Sequence, residues 1–436
     1  MCSLATTYSI QAQILPDETL PNNSIVTPQG NTSLIEGGTQ AGSNLFHSFE
    51  QFSVPTGGEA SFNNALDIQN IISRVTGGSI SNIDGLLRAN GTANLFLLNP
   101  NGIIFGPNAS LSIGGSFVGS TASSLNFADG TQFSATAPQA TPLLTVSVPI
   151  GLQYGSNAGS IQVQGNGQGT RTTTDLIDTT VGLRVQLNQT LALVGGDVGL
   201  EGGTLKTAGG RIELGSVAGP SLVNLTPTEK GWAFNYESVQ NFQDIQLSQQ
   251  ATVDASGVGG GNVQVRGRQV KLTDGSQIEA STLGSELGGT VTVTASESVE
   301  LIGTAANNQL SSTLATTVYP GATGAGGNLT IETGRLNVRD GAQIGAITFG
   351  AGSAGTLALN AKESVELSGT SADGQLPSSL SISALRGATG AGGNLTIETG
   401  RLNVRDGAQI GAITFGAGSA GTLVLNAKES VELSGT

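Results

Sequence analysis

The C-terminal third of the chain alternates apolar and polar residues with a period of two, in segments of three to five residues. Leu329 and Ile331 begin one series, which continues through 336–344, and a second series begins at Leu357. Glycine, Asp-Gly and Ser-Gly separate the segments. Such alternation places apolar side chains on one face of a strand, and the separating residues favour turns. The pattern therefore predicts short β-strands that each bury one face.

The strand pattern belongs to an internal repeat. Residues 321–370 recur at 387–436 with a single difference, so the repeat is 66 residues long, and a diverged copy occupies 260–304. Within each copy an Asp-Gly pair is predicted to form a turn rather than a carboxylate site. These pairs begin at Asp274, Asp340 and Asp406.

The spacing within the repeat predicts how the strands are arranged. The series that begins at Leu329 restarts 28 residues later at Leu357, and again 38 residues later at Leu395. Each repeat thus holds two turns of three strands, here called coils. A unit that restarts in the same order predicts an all-β chain, a right-handed parallel β-helix with an N-terminal cap. Because one coil cannot bury its apolar face alone, the three leucines should form an interior column.

An antiparallel β-sandwich is the alternative fold. It is disfavoured because the near-identical copies would have to occupy different environments in a sandwich. The same strand-and-turn style extends upstream through 191–217, where Gly-Gly pairs separate the strands, whereas residues 63–75 allow one or two helical turns.

Two proline turns, Asn-Pro-Asn-Gly and Gly-Pro-Asn-Ala, lie seven residues apart, proline to proline. Pro100 presets φ for a turn, Asn99 can close a side-chain hydrogen bond, and Gly102 suits the fourth position of a type I turn. In the second turn Asn108 tolerates the positive φ that a type II turn needs. A hairpin on the Asn-Gly pair is the local alternative. The β-helix prediction instead makes the two turns successive corners of one coil.

Composition excludes several classes of function. Lys and Arg total 17 against 31 Asp and Glu, a net charge of −14 that repels nucleic acid. With one cysteine, Cys2, and one histidine, His47, the chain offers no disulfide framework, zinc cluster or Cys/His catalytic pair. No metal or cofactor is predicted. No run of 18 apolar residues occurs, so the chain is not predicted to be an integral membrane protein.

Two single residues attract attention as candidate functional groups. His47 lies in Phe-His-Ser-Phe and is predicted to pack among apolar neighbours or to cap a helix end rather than to catalyse a reaction. Trp232 is predicted to be a packed residue in a loop, and nothing in the sequence supports a sugar-stacking role.

A secreted carbohydrate-active β-helix, such as a polysaccharide lyase or hydrolase, is the alternative from another class. Such enzymes need acidic residues, or a cation site with Arg or Lys, clustered on one exposed groove. Here the carboxylates are scattered over turns and outward strand positions such as Glu300, Glu366 and Glu432. Identical copies would also repeat any site. The sequence favours a protein that is not an enzyme, and a solitary Asp/Arg cluster would support the alternative.

Residues 67–125 resemble the secretion domain of two-partner secretion exoproteins. This is the filamentous haemagglutinin N-terminal type, also called the haemagglutination activity domain. The Asn-Pro-Asn-Gly-Ile sequence at 99–103 is its best-known mark, and 44–54 is similar to the segment that precedes it.

The resemblance is strong over residues 20–220. Beyond them it is limited to the general pattern, since passengers of this family are repetitive β-helices. The segments 151–165 and 209–217 are most similar to cyanobacterial members.

The resemblance implies an exported protein. A Sec signal would deliver the chain to the periplasm, and a dedicated outer-membrane partner of the Omp85 type would pass it to the cell surface or medium, where it folds. It would act there as a filamentous haemagglutinin-like adhesin with a host-cell or surface glycan receptor. A surface-layer protein without a transporter is a further alternative.

The resemblance also implies a transporter-recognition motif. Its residues are Asn99, Pro100, Asn101, Gly102 and Ile103. The alternative is a turn that only supports the fold.

The predicted organisation has three parts. Residues 1–12 resemble the end of a signal peptide without its charged start and apolar segment, so they are predicted to be its remnant. A disordered N-terminus of a cytosolic protein is the alternative. The secretion domain is predicted at 13–255 and a repeat β-helix passenger at 256–436. Because the last repeat stops partway, the chain is expected to be a fragment of a longer protein.

Overall fold

A computed structural model describes residues 13–139 and 144–435 of the protein. The predicted signal-peptide remnant at 1–12 lies outside these residues. The described part of the chain consists of β-strands, turns and bends, without a helix.

The strands of the N-terminal half are short. They are β1 (Ile14–Pro16), β2 (Ser24–Gln29), β3 (Thr32–Gly37), β4 (Thr39–Ala41), β5 (Asn44–Phe52), β6 (Glu59–Phe62), β7 (Asn70–Val75), β8 (Ser81–Ile83), β9 (Leu86–Ala89), β10 (Asn94–Leu98), β11 (Ile103–Phe105), β12 (Ser110–Ser112), β13 (Phe117–Ser120), β14 (Ser124–Phe127), β15 (Gln132–Ser134), β16 (Pro149–Tyr154), β17 (Ile161–Gln164), β18 (Leu183–Arg184), β19 (Thr190–Gly195), β20 (Val198–Glu201), β21 (Thr204–Lys206) and β22 (Arg211–Ser216).

The strands of the C-terminal half include six long ones, of 12 or 13 residues, that recur with the repeat. They are β23 (Ser221–Thr228), β24 (Gly231–Asn235), β25 (Ile245–Ser248), β26 (Thr252–Asp254), β27 (Asn262–Thr273), β28 (Gln277–Glu279), β29 (Thr290–Ile302), β30 (Thr313–Val318), β31 (Asn328–Arg339), β32 (Gln343–Thr348), β33 (Thr356–Ser368), β34 (Ser379–Ala384), β35 (Asn394–Arg405), β36 (Gln409–Thr414) and β37 (Thr422–Ser434).

The strands wind into a right-handed parallel β-helix with three faces. The first face contains β5, β7, β10, β13, β19 and β22, and the second contains β8, β11, β17, β20 and β25. The long strands from β27 onwards continue both of these faces. The third face begins with β3, β6, β9 and β12. It continues with β18 and β21 and then with the even-numbered strands from β26 to β36. Antiparallel strands β1, β2 and β4 cover the first coil as the predicted N-terminal cap.

The repeat advances two coils, as its spacing predicts. Leu329 pairs with Leu357 on the next coil, and Leu357 pairs with Leu395 on the one after. All three side chains are buried in one continuous core, so the interior column is confirmed and the antiparallel sandwich is not. At the turns of the three copies Asp274, Asp340 and Asp406 have φ values of 57°, 60° and 56°, and a glycine follows each.

The prediction of three separate strands per coil is wrong in the repeats. The first two segments form one continuous strand of 12 or 13 residues. The bend between them is a bulge, at which the pairing register shifts between Thr333 and Arg335 in β31. A bulge bends a strand without ending its hydrogen-bonded ladder, so a corner forms where the sequence suggested a break.

The prediction of helical turns within 63–75 is also wrong. Residues 70–75 form β7, in which every side chain is buried. Ile71 packs into the β-helix core, whereas Ile72 packs on the outside, under a second layer of protein. A strand that is buried on both sides loses its alternation, and its apolar run then resembles that of a helix.

That second layer is an antiparallel sheet, here called the covering sheet. It consists of β15, β14, β16, β23 and β24, in that order. Its apolar side chains pack on the outer side of the first face and form a hydrophobic cluster separate from the core of the β-helix. The ring of Trp232 in β24, for example, meets Phe96 of β10 edge-on at 5.3 Å between centroids.

Candidate functional site

The Asn-Pro-Asn-Gly-Ile motif forms the turn between β10 on the first face and β11 on the second. Asn99 is fully buried, and its Nδ2 donates hydrogen bonds to Ser79 O at 3.0 Å and Ser81 Oγ at 2.9 Å on the preceding coil. Its Oδ1 accepts the backbone N–H of Asn101 at 3.0 Å, and Gly102 N–H donates to Asn99 O at 3.1 Å. The predicted side-chain closure of this turn is confirmed. Neither strand pairs with the other, so the hairpin alternative is not formed.

The other side of the turn is packed against the following coil. Pro100 O accepts a hydrogen bond from Gly159 N–H at 2.9 Å, and Ile103 N–H donates to Ser160 O at 3.0 Å. A Cβ on Gly159 would overlap the backbone of Asn101. Gly102 has a φ of 130°, which L side chains rarely adopt. The turn is therefore held rigidly from both neighbouring coils.

Asn101 is the exposed residue of the motif. Its Nδ2 donates to Gly77 O at 2.7 Å and to Asn99 Oδ1 at 3.0 Å. Its Oδ1 has no hydrogen-bond partner among the described residues. The structure thus divides the predicted motif, because Asn99, Gly102 and Ile103 are buried, Pro100 is half-buried and Asn101 is exposed.

The second proline turn is built differently from its prediction. Asn108 does not adopt a positive φ. Instead its N–H donates to Asp84 Oδ1 of the preceding coil at 2.8 Å, and its Nδ2 donates to Asp84 Oδ2 at 3.1 Å. The side chain therefore bridges two coils, and the turn closes through the Ala109 N–H bond to Gly106 O at 3.0 Å. A Cβ on Gly106 would overlap the Asp84 carboxylate.

His47 and Trp232 are packing residues. His47 is buried in β5, stacks on Phe49, and shares a hydrogen bond between its Nδ1 and Ser24 Oγ at 3.0 Å. Burial lowers the pKa of its imidazole from 6.5 to about 3, so the ring is neutral at ordinary pH. Its packing among apolar neighbours is confirmed, but it caps no helix. Trp232 is packed as predicted, in a strand of the covering sheet and not in a loop.

A cluster of buried charges fastens the segment before β18 to the third face. Lys206 Nζ lies 2.7 Å from Asp178 Oδ1 and 3.2 Å from Asp254 Oδ2. Arg171 Nη2 lies 3.0 Å from the same Asp254 atom. Burial, together with the charge of Asp254, raises the pKa of Glu279 to about 8. No sequence pattern predicts this cluster, because its members are up to 108 residues apart, from 171 to 279.

This Asp/Arg cluster does not provide a site for a polysaccharide. The side chains of Arg171, Asp178, Lys206 and Asp254 are between 0% and 6% exposed. The cavity beside them has a volume of about 60 Å³, room for about two water molecules. These buried side chains pair with one another, which favours a structural role over contact with a polysaccharide.

Among residues 13–139 and 144–435 no group of three or more His, Cys, Asp or Glu side chains is arranged to hold a metal ion. The same residues form no helix that is long and apolar enough to cross a membrane.

The chain belongs to the TPS secretion domain family, whose sequence pattern matches residues 12–265. Its fold is similar to that of the HMW1 secretion domain from Haemophilus influenzae. The two are 17% identical, with a TM-score of 0.54, and the match covers 95% of this chain and 98% of that one. No curated protein matches this chain in sequence.

Family membership confirms the resemblance to two-partner secretion exoproteins. It implies a protein that is exported across the outer membrane to the cell surface or the extracellular space, with a transporter partner in that membrane. The family is a secretion domain and not a known family of enzymes.

Proposed function

We propose that the chain is a filamentous haemagglutinin-like adhesin that an outer-membrane partner of the Omp85 type exports by recognising Asn101. The observation that carries this proposal is the geometry of the turn. Four residues of the motif are buried or half-buried, and both neighbouring coils hold the turn in place. Asn101 alone is exposed, with a free amide oxygen in a fixed position. A partner that binds the secretion domain in this folded form, before the rest of the chain crosses the membrane and folds outside, would contact that oxygen.

The remaining parts of the proposal rest on the family to which the chain belongs, on the repeat and on the charge. Residues 13–255 would act as the secretion domain, and 256–436 would be the repeat passenger that presents the adhesive surface to a glycan on a host cell or another surface. The net charge of −14 disfavours nucleic acid as a partner. The burial of the Asp/Arg cluster supports a role without catalysis.

The proposal is tested by secretion of Asn101→Ala from cells that co-express the partner barrel. We expect secretion into the medium to fall at least tenfold. The lost side-chain bonds are partly exposed, so the purified variant should lose only about 1 kcal/mol of stability. Secretion is measured by immunoblotting the medium, and folding by the melting temperature and β-sheet spectrum of the purified protein.

Two other variants separate recognition from folding. Asn108→Ala removes an exposed asparagine that bridges coils at the neighbouring turn, and it should be secreted normally. Asn99→Ala removes a buried asparagine, so stability and secretion should fall together. Normal secretion of folded Asn101→Ala would refute the recognition role and leave the turn as a structural element.

A further inference from the structure

Arg266 differs from the other arginines on the outer side of the long strands. Arg268, Arg335 and Arg401 each form an ion pair with a carboxylate on a neighbouring coil. Arg266 is half-buried, and its Nε is buried without a hydrogen-bond partner in the described residues. Glu332, the first carboxylate along its column, lies two coils away, roughly 10 Å along the axis. Neither of its Nη atoms forms a hydrogen bond or ion pair among the described residues, so the two Nη atoms remain as unused donors.

The aromatic residues around Arg266 hold it in place. Its guanidinium carbon lies 4.8 Å from the centroid of the Phe242 ring. The centroids of the Phe242 and Tyr236 rings are 6.4 Å apart. The Tyr236 hydroxyl donates a 2.7 Å hydrogen bond to Oε1 of the fully buried Glu213. Stacking and this buried bond fix the side chains before any ligand arrives, which lowers the entropy lost on binding.

Arg266 faces a notch where the covering sheet meets the β-helix. The notch has a volume of about 310 Å³. Gln264 and Thr294 line its floor on adjacent coils, and Asn235 and Glu237 are exposed at its rim. Its polar groups thus include amides, a hydroxyl and one carboxylate around a single arginine.

The edge of β24 adds a backbone donor to the notch. In the described part of the chain β24 pairs with β23 alone, so no strand pairs with its other edge, where Phe234 O accepts from Gln264 Nε2 at 3.5 Å. The N–H of Trp232 points to that edge, because it donates to Thr190 Oγ1 at 2.9 Å. Alternate residues of a strand point the same way, so the N–H of Phe234 faces the edge as well. Phe234 itself lines the notch.

We propose that this notch binds a carboxylate-bearing sugar, a uronate unit of a polysaccharide. The planar guanidinium of Arg266 matches a carboxylate with two parallel hydrogen bonds. Sugar hydroxyls both donate and accept, so Glu237 and Asn235 can accept from them while Gln264 and Thr294 donate. The net charge of −14 disfavours unspecific attraction of anions, so binding here depends on local fit.

The notch lies where the proposed secretion domain, through residues 234–237, meets the proposed passenger, through Gln264, Arg266 and Thr294. It would give the proposed adhesin a ligand class at that junction. Its biological use rests on that proposed function, whereas binding itself is measured on the purified chain without export. Absence of sugar binding would therefore not affect the interpretation of the secretion experiment. Normal secretion of Asn101→Ala would likewise not affect the interpretation of the binding experiment.

The test is a calorimetric titration of the purified chain with tri-galacturonate, beside the neutral galactose trisaccharide as a matched ligand. We expect saturable binding of the acidic sugar and at least tenfold weaker binding of the neutral one. Arg266→Gln should weaken tri-galacturonate binding at least tenfold. Arg268→Gln changes an ion-paired arginine two residues away on the same strand and should stay within twofold of the native chain.

Asn235→Ala, at the exposed rim, removes only one exposed hydrogen bond, in which Asn235 Oδ1 accepts the Glu237 N–H at 2.8 Å. It should weaken binding several-fold while the chain stays folded, which keeps the test informative if Arg266→Gln melts early. Equal binding of the two trisaccharides, absence of binding at millimolar concentration, or unchanged binding by folded Arg266→Gln would overturn the proposal. Tighter binding of tri-aspartate than of tri-galacturonate would show that the site prefers acidic peptides and would overturn the sugar assignment.

Discussion

Arg74 joins three separate segments of the N-terminal half. The side chain is buried in β7, and its guanidinium donates to Thr19 Oγ1, Ser48 Oγ and Ser134 O at 2.7, 2.9 and 2.7 Å. These atoms belong to the N-terminal cap, the first coil and the covering sheet. Burial lowers its pKa to about 10, which leaves it charged at neutral pH. One residue thus ties together elements that local sequence does not connect.

At this scale Arg74→Met should destabilise the protein by about 3 kcal/mol, because it leaves buried acceptors without a donor. Arg88→Met is the control. Arg88 is 45% exposed and pairs with Glu59, so its loss should change stability by about 1 kcal/mol or less. Urea unfolding of both variants measures the difference. Equal losses would show that the buried bonds of Arg74 contribute little.

The long strands separate inward from outward positions, and β33 shows this within one element. Leu357 is buried between Leu329 and Leu395, whereas Glu366 on the same strand is exposed. The bulge between them keeps the apolar side chains inward on both halves of the strand. Because coils stack in register, a fault at one inward position affects its neighbours.

The element-scale prediction concerns these two positions. Leu357→Asp would bury an unpaired charge and should destabilise the stacked coils by at least 3 kcal/mol. Glu366→Lys should change the free energy of unfolding by about 0.5 kcal/mol or less. Thermal and urea unfolding of the two variants measure these changes in stability. Comparable destabilisation by both would contradict the observed inward and outward assignment.

Stability of the whole molecule should depend on pH through buried groups. Burial raises the pKa of Glu213 and of Glu279 to about 8. Between about pH 4.5 and 8 the folded chain keeps protons that the unfolded chain loses, so stability falls as the pH rises. His47 acts in the opposite sense, since its pKa is about 3 when folded and near 6.5 when unfolded. Its contribution is lost as the pH falls from 6.5 to 3.

We therefore expect the highest stability near pH 5 and a decline towards pH 8. Each carboxyl contributes up to about 1.4 kcal/mol per pH unit within its window. Glu213→Gln should flatten the decline because the amide carries no charge. Urea unfolding at several pH values measures the slopes. A slope unaffected by Glu213→Gln would rule out this carboxyl as the cause.

The candidate turn was predicted in part. The asparagine side-chain closure and the succession of two turns on one coil follow from local residue preferences. The backbone conformation of Asn108 was predicted wrongly, because Asp84 on another coil accepts its N–H. Which of the five motif residues is exposed was also missed, since that depends on residues 77–81 and 159–160 of the neighbouring coils.

The sequence alone determined the parallel β-helix, the two coils per repeat and the interior leucine column. These features depend on an alternation with a period of two and on a repeat offset of 66 residues, and both can be observed directly in the sequence. Only the tertiary structure decided the covering sheet, the buried charge cluster and the notch at Arg266. Each of these depends on side chains from distant segments that meet across coils, and alternation within a strand carries no information about which segment lies outside it.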